Sequence, residues 1–337
     1  MTKNVQTNAD MTSAEISERY NGGKKVIDFV GKKKIFFGIS LCVILIGIIC
    51  NFIFGTTLDI QFSGGATLTY SYTVDDKHPI DQDQLREFIQ EHTKDRITAS
   101  FSTDLMGNTG ENVSVQFSGN DAIETLIQEK LTADLQNKYP DNNFKNLEAN
   151  SVDASMGLSF LLKCLVAVAI ASALMVLYVT IRFKKIGGLS AGMMALVALF
   201  HDIAMIYFLY VIFRMPIDSN FIAVVLMILG YSLNDTIVIY DRVREQRKIM
   251  GRRIDVGQVF NVSCTKTIKR TVMTSVTTLS AILVVYILAY IFNINSVKSF
   301  ALPMMIGVIS GCYSSICIAG PLWVMWQRKK AAGKTAA

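Results

Sequence analysis

The stretch FIAVVLMILGYSLNDTIVIY, residues 221–240, is an almost unbroken apolar run that contains a single acidic residue, Asp235. About 20 mostly apolar residues are enough to cross a lipid bilayer as a helix. A carboxylate in that environment costs several kcal/mol unless it is paired, hydrated or protonated, so an intramembrane acid is a candidate functional group. The run therefore predicts a membrane-spanning helix that carries a functional aspartate.

The rest of the chain has the composition of a membrane protein. Hydrophobic residues make up 51% of the 337 residues, charged residues make up 18%, and the mean hydropathy is positive. Six apolar stretches are long enough to span a bilayer: about 35–54, 157–181, 187–213, 217–240, 271–292 and 299–326. We predict a polytopic α-helical membrane protein with six transmembrane helices.

Lysine and arginine are concentrated in alternate connections between these stretches. They are frequent in the N-terminal segment 1–33, in the turn after 157–181, in the connection 241–269 and in the C-terminal tail 328–337. The positive-inside rule places both termini and a basic loop over 241–269 in the cytoplasm. Because topology and an anionic leaflet explain this charge, it does not indicate nucleic-acid binding.

The long segment 55–156, between the first two spans (34–54 and 157 onwards), has the opposite charge. It holds seven Lys/Arg and seventeen Asp/Glu, although the whole chain has a net charge of +6. Its hydrophobic spacing predicts strand, helix, strand, strand, helix and strand over 66–72, 80–92, 96–102, 112–117, 121–138 and 144–152. This βαββαβ order predicts a small α+β ferredoxin-like domain on the exterior side. No nucleophile stands beside a base in it, so we expect a folded binding or positioning module and not an enzyme.

Neither the cysteines nor the glycines of the chain predict a cofactor or a metal site. None of the six cysteines lies in 55–156, so we expect no disulfide framework and no metal cluster. The sequence FSGG at 62–65 lacks the features of a phosphate loop and is interpreted as a tight turn into the first strand. Two patterns within the spans, Gly188-x-x-x-Gly192 and Gly307-x-x-x-Gly311, predict close helix packing.

The first candidate site centres on Asp235. Its polar neighbours in the same span are Ser232, Asn234 and Thr236. Arg270 begins the fifth span and is followed at helical spacing by Thr271, Thr274 and Thr278. If the fourth and fifth spans pack together, the long Arg270 side chain can reach towards Asp235. An aspartate that is ionised beside Arg270 and protonated away from it would carry protons, whereas a fixed structural ion pair is the alternative.

His201 and Asp202, near the middle of the third span, form the second candidate site. Adjacent residues point about 100° apart on a helix, so we do not expect the two side chains to hydrogen-bond each other. Asp202 is expected to face the bundle interior and His201 a neighbouring helix. A proton relay and an interhelical hydrogen-bond clamp are both open interpretations.

Together these motifs resemble those of the SecF family of bacterial protein-export membrane proteins, within the resistance–nodulation–division (RND) superfamily. The segments that carry the resemblance are LFHD at 199–202, GYSLNDT at 230–236, DRVRE at 241–245 and RTVMTSVTTL at 270–279. Their spacing and the six-span plan agree, so that the resemblance covers roughly 25–328. Gln61 departs from the pattern, since an aspartate is usual at that position.

The resemblance implies a function. A SecF-like protein forms half of a twelve-span assembly whose other half is a SecD-like subunit, in the bacterial cell membrane. The pair would act beside the SecYEG channel and use the proton motive force to assist late translocation of a preprotein. Asp235 and Arg270 would be the proton-coupling residues, and no cofactor is implied.

Two other classes of function are compatible with the same sequence. One is half of an RND-type exporter of a lipid or small molecule, although 55–156 is short for a substrate-binding domain. The other is a non-transporting scaffold of the export channel, in which Asp235 and Arg270 have only a structural role.

Overall fold

The computed structural model describes residues 13–23, 25–73, 80–93, 97–103, 110–118, 125–152, 154–251, 253–292 and 294–335. Within these residues, six helices are long and apolar enough to cross a membrane, as the sequence predicts. The chain begins with α1 (Ser13–Asn21), the first apolar helix α2 (Lys33–Phe54) and a single turn, α3 (Ile60–Ser63).

A four-stranded antiparallel sheet follows. Its elements in chain order are β1 (Gly65–Thr73), α4 (Gln82–Thr93), β2 (Ile97–Thr103), β3 (Gly110–Ser118), α5 (Thr125–Lys138) and β4 (Lys145–Val152). The strand order is β2-β3-β1-β4, and each neighbouring pair is antiparallel. Alternate β1 residues, among them Leu68 and Tyr70, pack against Leu85 and Leu135 of the two helices. Residues 120–124, where the second helix is expected to begin, lie outside the described residues.

The remaining helices form the bundle. They are α6 (Ala154–Arg182), α7 (Gly188–Ile212), α8 (Ser219–Met250), α9 (Val256–Ile291), α10 (Asn295–Ser314) and α11 (Gly320–Thr335). A π-helical segment, Ser315–Ala319, joins α10 to α11, so the sixth span is continuous. At least half of the residues in the most apolar parts of α7, α8 and α10 are buried, whereas in those of α2, α6 and α9 only about a tenth or fewer are buried. The helices α7, α8 and α10 are therefore the core of the bundle.

The connection 241–269 is not the loop that the sequence predicts. Helix α8 continues to Met250 and α9 begins at Val256. Their 32 and 36 residues extend about 48 and 54 Å, which exceeds the roughly 30 Å hydrocarbon core. Arg, Gln, Glu and Lys are strong helix formers, and the same segment buries Val243 and Phe260. The charged residues therefore extend both helices beyond the membrane.

Both glycine patterns mark close helix contacts, as predicted. A Cβ atom added to Gly188 would lie 2.1 Å from the carbonyl oxygen of Thr180 on α6. A Cβ on Gly307 would lie 2.5 Å from Cγ1 of Ile228 on α8. The glycines let α7 approach α6 and let α10 approach α8.

Asp255 connects the start of α9 to α11. Its Oδ2 accepts a hydrogen bond from the Gly257 N–H at 2.8 Å, and Arg328 donates through Nε and Nη2 at 3.1 and 2.6 Å. Burial by itself raises the pKa of Asp255, but the hydrogen bonds and charge of Arg328, together with nearby backbone N–H groups, outweigh it. They hold the pKa of Asp255 below its usual range.

We expect Gly188→Ala to destabilise the protein by about 1–3 kcal/mol, because the added methyl group meets a backbone oxygen that cannot move independently. The matched control is Gly230→Ala on α8, whose added Cβ has no neighbour within 4 Å. Helix propensity makes that change neutral or slightly stabilising. Thermal unfolding of the purified variants in detergent measures both, and equal unfolding temperatures would contradict the packing role of Gly188.

A second prediction concerns pH. Asp255→Asn keeps a helix-capping side chain but removes the charge that pairs with Arg328. Since the pKa of Asp255 is depressed in the folded state, its charge stabilises the protein above the unfolded pKa, and this contribution is lost as the pH falls through the folded pKa.

Because the two side chains are 46% and 41% exposed, we expect a difference of only up to about 1 kcal/mol at neutral pH. The difference should begin to shrink below about pH 4, near the ordinary aspartate pKa, and disappear as the pH falls through the lower pKa of the folded state. Unfolding temperatures across this range test it, with Asp83→Asn, in a more exposed ion pair, as control. A difference that grows with acidification would contradict the assignment.

Candidate functional site

The most completely hydrogen-bonded acid in the bundle is Asp202 on α7, which is 0% exposed. Its Oδ2 accepts hydrogen bonds from Ser232 Oγ on α8 and Ser314 Oγ on α10, each at 2.7 Å. Its Oδ1 accepts one from Ser310 Oγ at 2.6 Å. The carboxylate faces the bundle interior, as predicted, and links the three central helices.

His201 differs from the prediction. Its Nδ1 lies 3.3 Å from Oδ1 of Asp202, although the two side chains were not expected to meet. Their Cα–Cβ bonds diverge, but Nδ1 is close to its own backbone, so the neighbouring carboxylate can rotate towards it. The imidazole ring packs beside Tyr313, with ring centroids 6.1 Å apart. His201 therefore touches a neighbouring helix and Asp202 at once.

A second layer of hydroxyl groups surrounds the Ser232 carbonyl. That oxygen accepts hydrogen bonds from Thr236 Oγ1 at 3.3 Å and Ser315 Oγ at 3.1 Å. The two hydroxyls are 2.9 Å apart. Ser315 begins the π-helical segment, and such segments inside α-helices are frequent at functional sites. The turn of α8 that carries Asp235 is thus hydrogen-bonded to α7 through Ser232 and to the π-helical segment through Ser315.

Asp235 has a different environment. It is 2% exposed, and within the described ranges no hydrogen-bond partner contacts its Oδ2. Arg270 on the neighbouring helix α9 is the cation whose charge acts on it, but the described residues contain no direct ion pair between them. A buried carboxylate without a donor is costly while it is charged.

The threonine stripe of α9 divides between two faces. Thr271 is buried towards the bundle, as is Ser275, whose Oγ accepts a hydrogen bond from Tyr231 OH at 3.3 Å. Thr274 and Thr278 are half-buried at the edge, and the Thr274 hydroxyl donates to the Arg270 carbonyl at 2.9 Å.

Asn234 contradicts the predicted site, because it is exposed and points away from the buried face of α8. One residue corresponds to about 100° of rotation, which takes Asn234 off the face that Asp235 occupies.

Three participants were missed by the sequence analysis: Ser310, Ser314 and Ser315. Ser310 and Ser314 are four residues apart and so lie on one helix face, which is the only signal that the sequence contains. Nothing in their spacing indicates that they meet an acid on α7.

The connector from α2 to the sheet, residues 55–64, is hydrogen-bonded to the bundle. Asp59 N–H donates to the Ile217 carbonyl at 3.0 Å, and Ile217 N–H donates to the Thr57 carbonyl at 2.9 Å. The Asp59 carboxylate accepts a hydrogen bond from Gln116 Nε2 on β3 at 3.0 Å. Burial, aided by the charge of Asp59, raises the pKa of the adjacent Asp218, which caps α8. The start of α8 and the sheet are therefore joined through one short segment.

The family model described as protein export membrane protein SecD/SecF, C-terminal, matches residues 131–329. The SecF protein translocase subunit of Petrotoga mobilis is 33% identical over 310 residues, covering 90% of this chain and 97% of that protein. The fused SecDF subunit of Bacillus subtilis is 30% identical over 308 residues, covering 90% of this chain and 38% of the fusion.

Two solved structures of SecDF proteins share the fold of this chain. A crystal structure of SecDF, a translocon-associated membrane protein from a Thermus species, has a TM-score of 0.72 at 25% identity, covering 93% of this chain and 41% of that one. A SecDF structure in a super-membrane-facing form, 24% identical with a TM-score of 0.61, shares the fold; it covers 93% of this chain and 40% of that chain. The chain spans well under half of these fused proteins.

We expect replacement by alanine to change the stability of the protein differently at the two buried aspartates. Asp202→Ala leaves three serine hydroxyls without their acceptor, so we expect a loss of about 3 kcal/mol of stability. Asp235→Ala removes a carboxylate that makes no hydrogen bond, so we expect no loss or a small gain. Thermal unfolding of the two variants in the same detergent compares them. Equal destabilisation would show that Asp235 is also structural.

Proposed function

This chain belongs to the SecD/SecF family of protein-export membrane proteins, as a SecF-type member, and we propose that it couples proton movement to preprotein export. It is a multi-pass membrane protein and an accessory subunit of protein translocation. In the proposal it acts with a SecD-like subunit beside the SecYEG channel, at a late stage of translocation. Asp235 and Arg270 form the proton-coupling pair.

The observation that carries the proposal is the environment of Asp235. A buried acid with no hydrogen-bond donor is unfavourable when charged, and the charge of Arg270 is the compensating influence on it. When Arg270 faces Asp235 the carboxylate stays ionised; when α8 and α9 move apart it takes up a proton. Two protonation states are thereby linked to two positions of neighbouring helices.

Asp202 is better suited to hold the bundle than to carry a proton. Three hydroxyl donors stabilise its carboxylate, one from Ser232 on α8 and two from Ser310 and Ser314 on α10. In the proposal Asp202 and His201 stay in place, and α8 moves relative to them when the protonation of Asp235 changes. Ser232, Thr236 and Ser315 transmit that constraint along α8.

The exposed flank of α9 supports a SecD-like partner. Arg270 and Thr277 are exposed on α9 beside the exposed apolar side chains of Val272, Met273 and Val276. Polar groups at membrane depth face protein or a water-filled cavity and not lipid. In the SecDF proteins of Bacillus subtilis and of the Thermus crystal structure, a longer chain contains the matching part. We propose that a separate SecD-like subunit covers this flank here.

The sheet domain is proposed to lie on the exterior side, as a ferredoxin-like module that holds the emerging preprotein. Its strand order β2-β3-β1-β4 with helices in the βαββαβ positions supports the first part. Its acidic charge, opposite to the basic ends of α8 and α9, supports the placement. Both termini then lie in the cytoplasm.

Movement of α8 would reach this domain through the connector. Ile217 precedes the α8 cap and hydrogen-bonds on both sides with the connector, and Asp59 contacts β3. One charge crossing 100 mV supplies about 2.3 kcal/mol, so repeated proton steps are needed to bias a chain outwards.

The test uses cells depleted of the native protein and supplied with Asp235→Asn, which keeps the shape of the side chain but cannot carry a proton. We expect export of a secreted reporter to fall to the level of depleted cells, because the proton step is lost. Asp235→Glu, which retains a carboxyl group, should restore part of the export. Pulse-labelling of the reporter measures the rate.

Met227→Leu is the matched control, since it alters an exposed apolar residue of the same helix at nearly constant volume and should leave export unchanged. Membrane levels and copurification of the SecD-like partner are measured for each variant. Normal export by Asp235→Asn, still sensitive to collapse of the proton gradient, would exclude Asp235 as the carrier. Normal export that is insensitive to the gradient would favour the scaffold.

A further inference from the structure

A cavity of about 850 Å³ opens where the ends of α7, α8, α9 and α11 meet. Four cationic side chains line it: Lys185, before α7, and Arg244, Arg247 and Lys248 on α8. None of the described residues that line it is an aspartate or a glutamate. We call this cavity the basic pocket.

The positive charge of the basic pocket is only partly neutralised. Asp241, outside the pocket, pairs with Arg182 and Arg244, each at 3.1 Å. Lys185 and Lys248 form no ion pair with any residue in the part of the chain that the structure describes. Like charges held in one concavity raise the local concentration of anions. The pocket is therefore complementary to an anionic group.

The inner wall of the basic pocket is apolar. Val243, Val259 and Trp323 line it and are buried. This wall distinguishes the pocket from a solvated cluster of basic residues, because it excludes water from one side of the occupant. A ligand that fits must combine negative charge with apolar surface.

The level of the basic pocket in the bundle indicates where such a ligand comes from. It is lined by Lys185, just before α7, and by Gln327, just after the apolar stretch of the sixth span. Trp326 on α11 is 51% exposed nearby in the chain. Exposed tryptophans are typical of the membrane–water interface. Ile249, next to Lys248, is also exposed and offers an apolar surface at this end of α8. Basic pockets between helices at this level suit lipid headgroups.

We propose that the basic pocket binds the phosphate-bearing headgroup of an anionic phospholipid. The phosphate lies between Lys185 and Lys248, and the acyl chains follow the exposed apolar surface outside. One lipid thereby bridges α7 and α8 at the end where the long helices α8 and α9 meet. The inference rests on the proposed function only for the side of the membrane, the cytoplasmic leaflet.

The experiment titrates dioleoylphosphatidylglycerol into the full chain, purified in detergent with any partner that copurifies, and counts bound lipid by native mass spectrometry. Dioleoylphosphatidylcholine is the zwitterionic reference. The pocket variant is Lys185→Gln with Lys248→Gln. The matched control is Lys184→Gln with Lys329→Gln, which removes the same charge from exposed positions outside the pocket.

We expect the pocket variant to lose affinity for phosphatidylglycerol by roughly tenfold or more, and the control by less than about threefold. Equal losses in both variants would reduce the effect to general surface charge and overturn the proposal, as would no loss in either. Unfolding temperatures without added lipid confirm that both variants are folded. Asp235→Asn should bind the lipid normally, so that failure of proton coupling and failure of this site are distinguishable.

Two soluble competitors decide the source of the anion. Glycerol 3-phosphate has the charged group without acyl chains and should compete only weakly. Competition at concentrations as low as those of the lipid would assign the pocket to a free phosphate ester and overturn the lipid proposal. If a polyglutamate peptide competes more strongly than glycerol 3-phosphate, the basic pocket would be assigned to an acidic protein partner instead.

Discussion

The helix bundle depends on one buried carboxylate, that of Asp202, which accepts hydrogen bonds from three serine hydroxyls. A charge in hydrocarbon must find its donors within the protein, because neither lipid nor bulk water supplies them. Each donor must come from a helix that is already in place, so satisfying Asp202 fixes α8 and α10 against α7. The glycines at the α10–α8 contact make this approach close enough, since a Cβ at Gly307 would collide with Ile228. The hydrogen bonds to Asp202 and the close packing at Gly307 therefore both hold α8 beside α10.

Asp235, on α8, has a different environment from Asp202. It is almost as buried as Asp202, yet its Oδ2 has no donor among the described residues, and only the charge of Arg270 acts on it. The bundle thus contains one acid that is stabilised by short hydrogen bonds and one that is not. An unsatisfied group is a poor element of stability, but it responds to small movements of its neighbours. That contrast explains why the proposal assigns proton carriage to Asp235 and anchoring to Asp202.

The length of α8 and α9 extends the influence of this core in both directions. Their ends continue beyond the apolar span and meet at the basic pocket on one side of the bundle. At the other end, Asp218 caps α8 and the preceding Ile217 is hydrogen-bonded to the connector that leads to β1. Helix α8 therefore runs without a break from the segment that leads to β1, past Asp235, to the basic pocket. The exposed flank of α9, with Arg270 and Thr277, is the surface that we propose a SecD-like subunit covers.

The sequence by itself determined the class of the protein, the six apolar helices, the βαββαβ order of elements and the presence of acids in the third and fourth spans. These depend on local periodicity and hydrophobicity, which each segment carries alone. It misjudged 241–269, because amphipathic charged helices resemble loops when only charge is read, and it placed Asn234 in a site that its side chain does not face. Only the tertiary structure brought Ser310 and Ser314 to Asp202, allowed His201 to reach that carboxylate and assembled the basic pocket from four helix ends. The reason is that these contacts join residues far apart in the chain, and their geometry is decided by how the helices pack and not by spacing within any one of them.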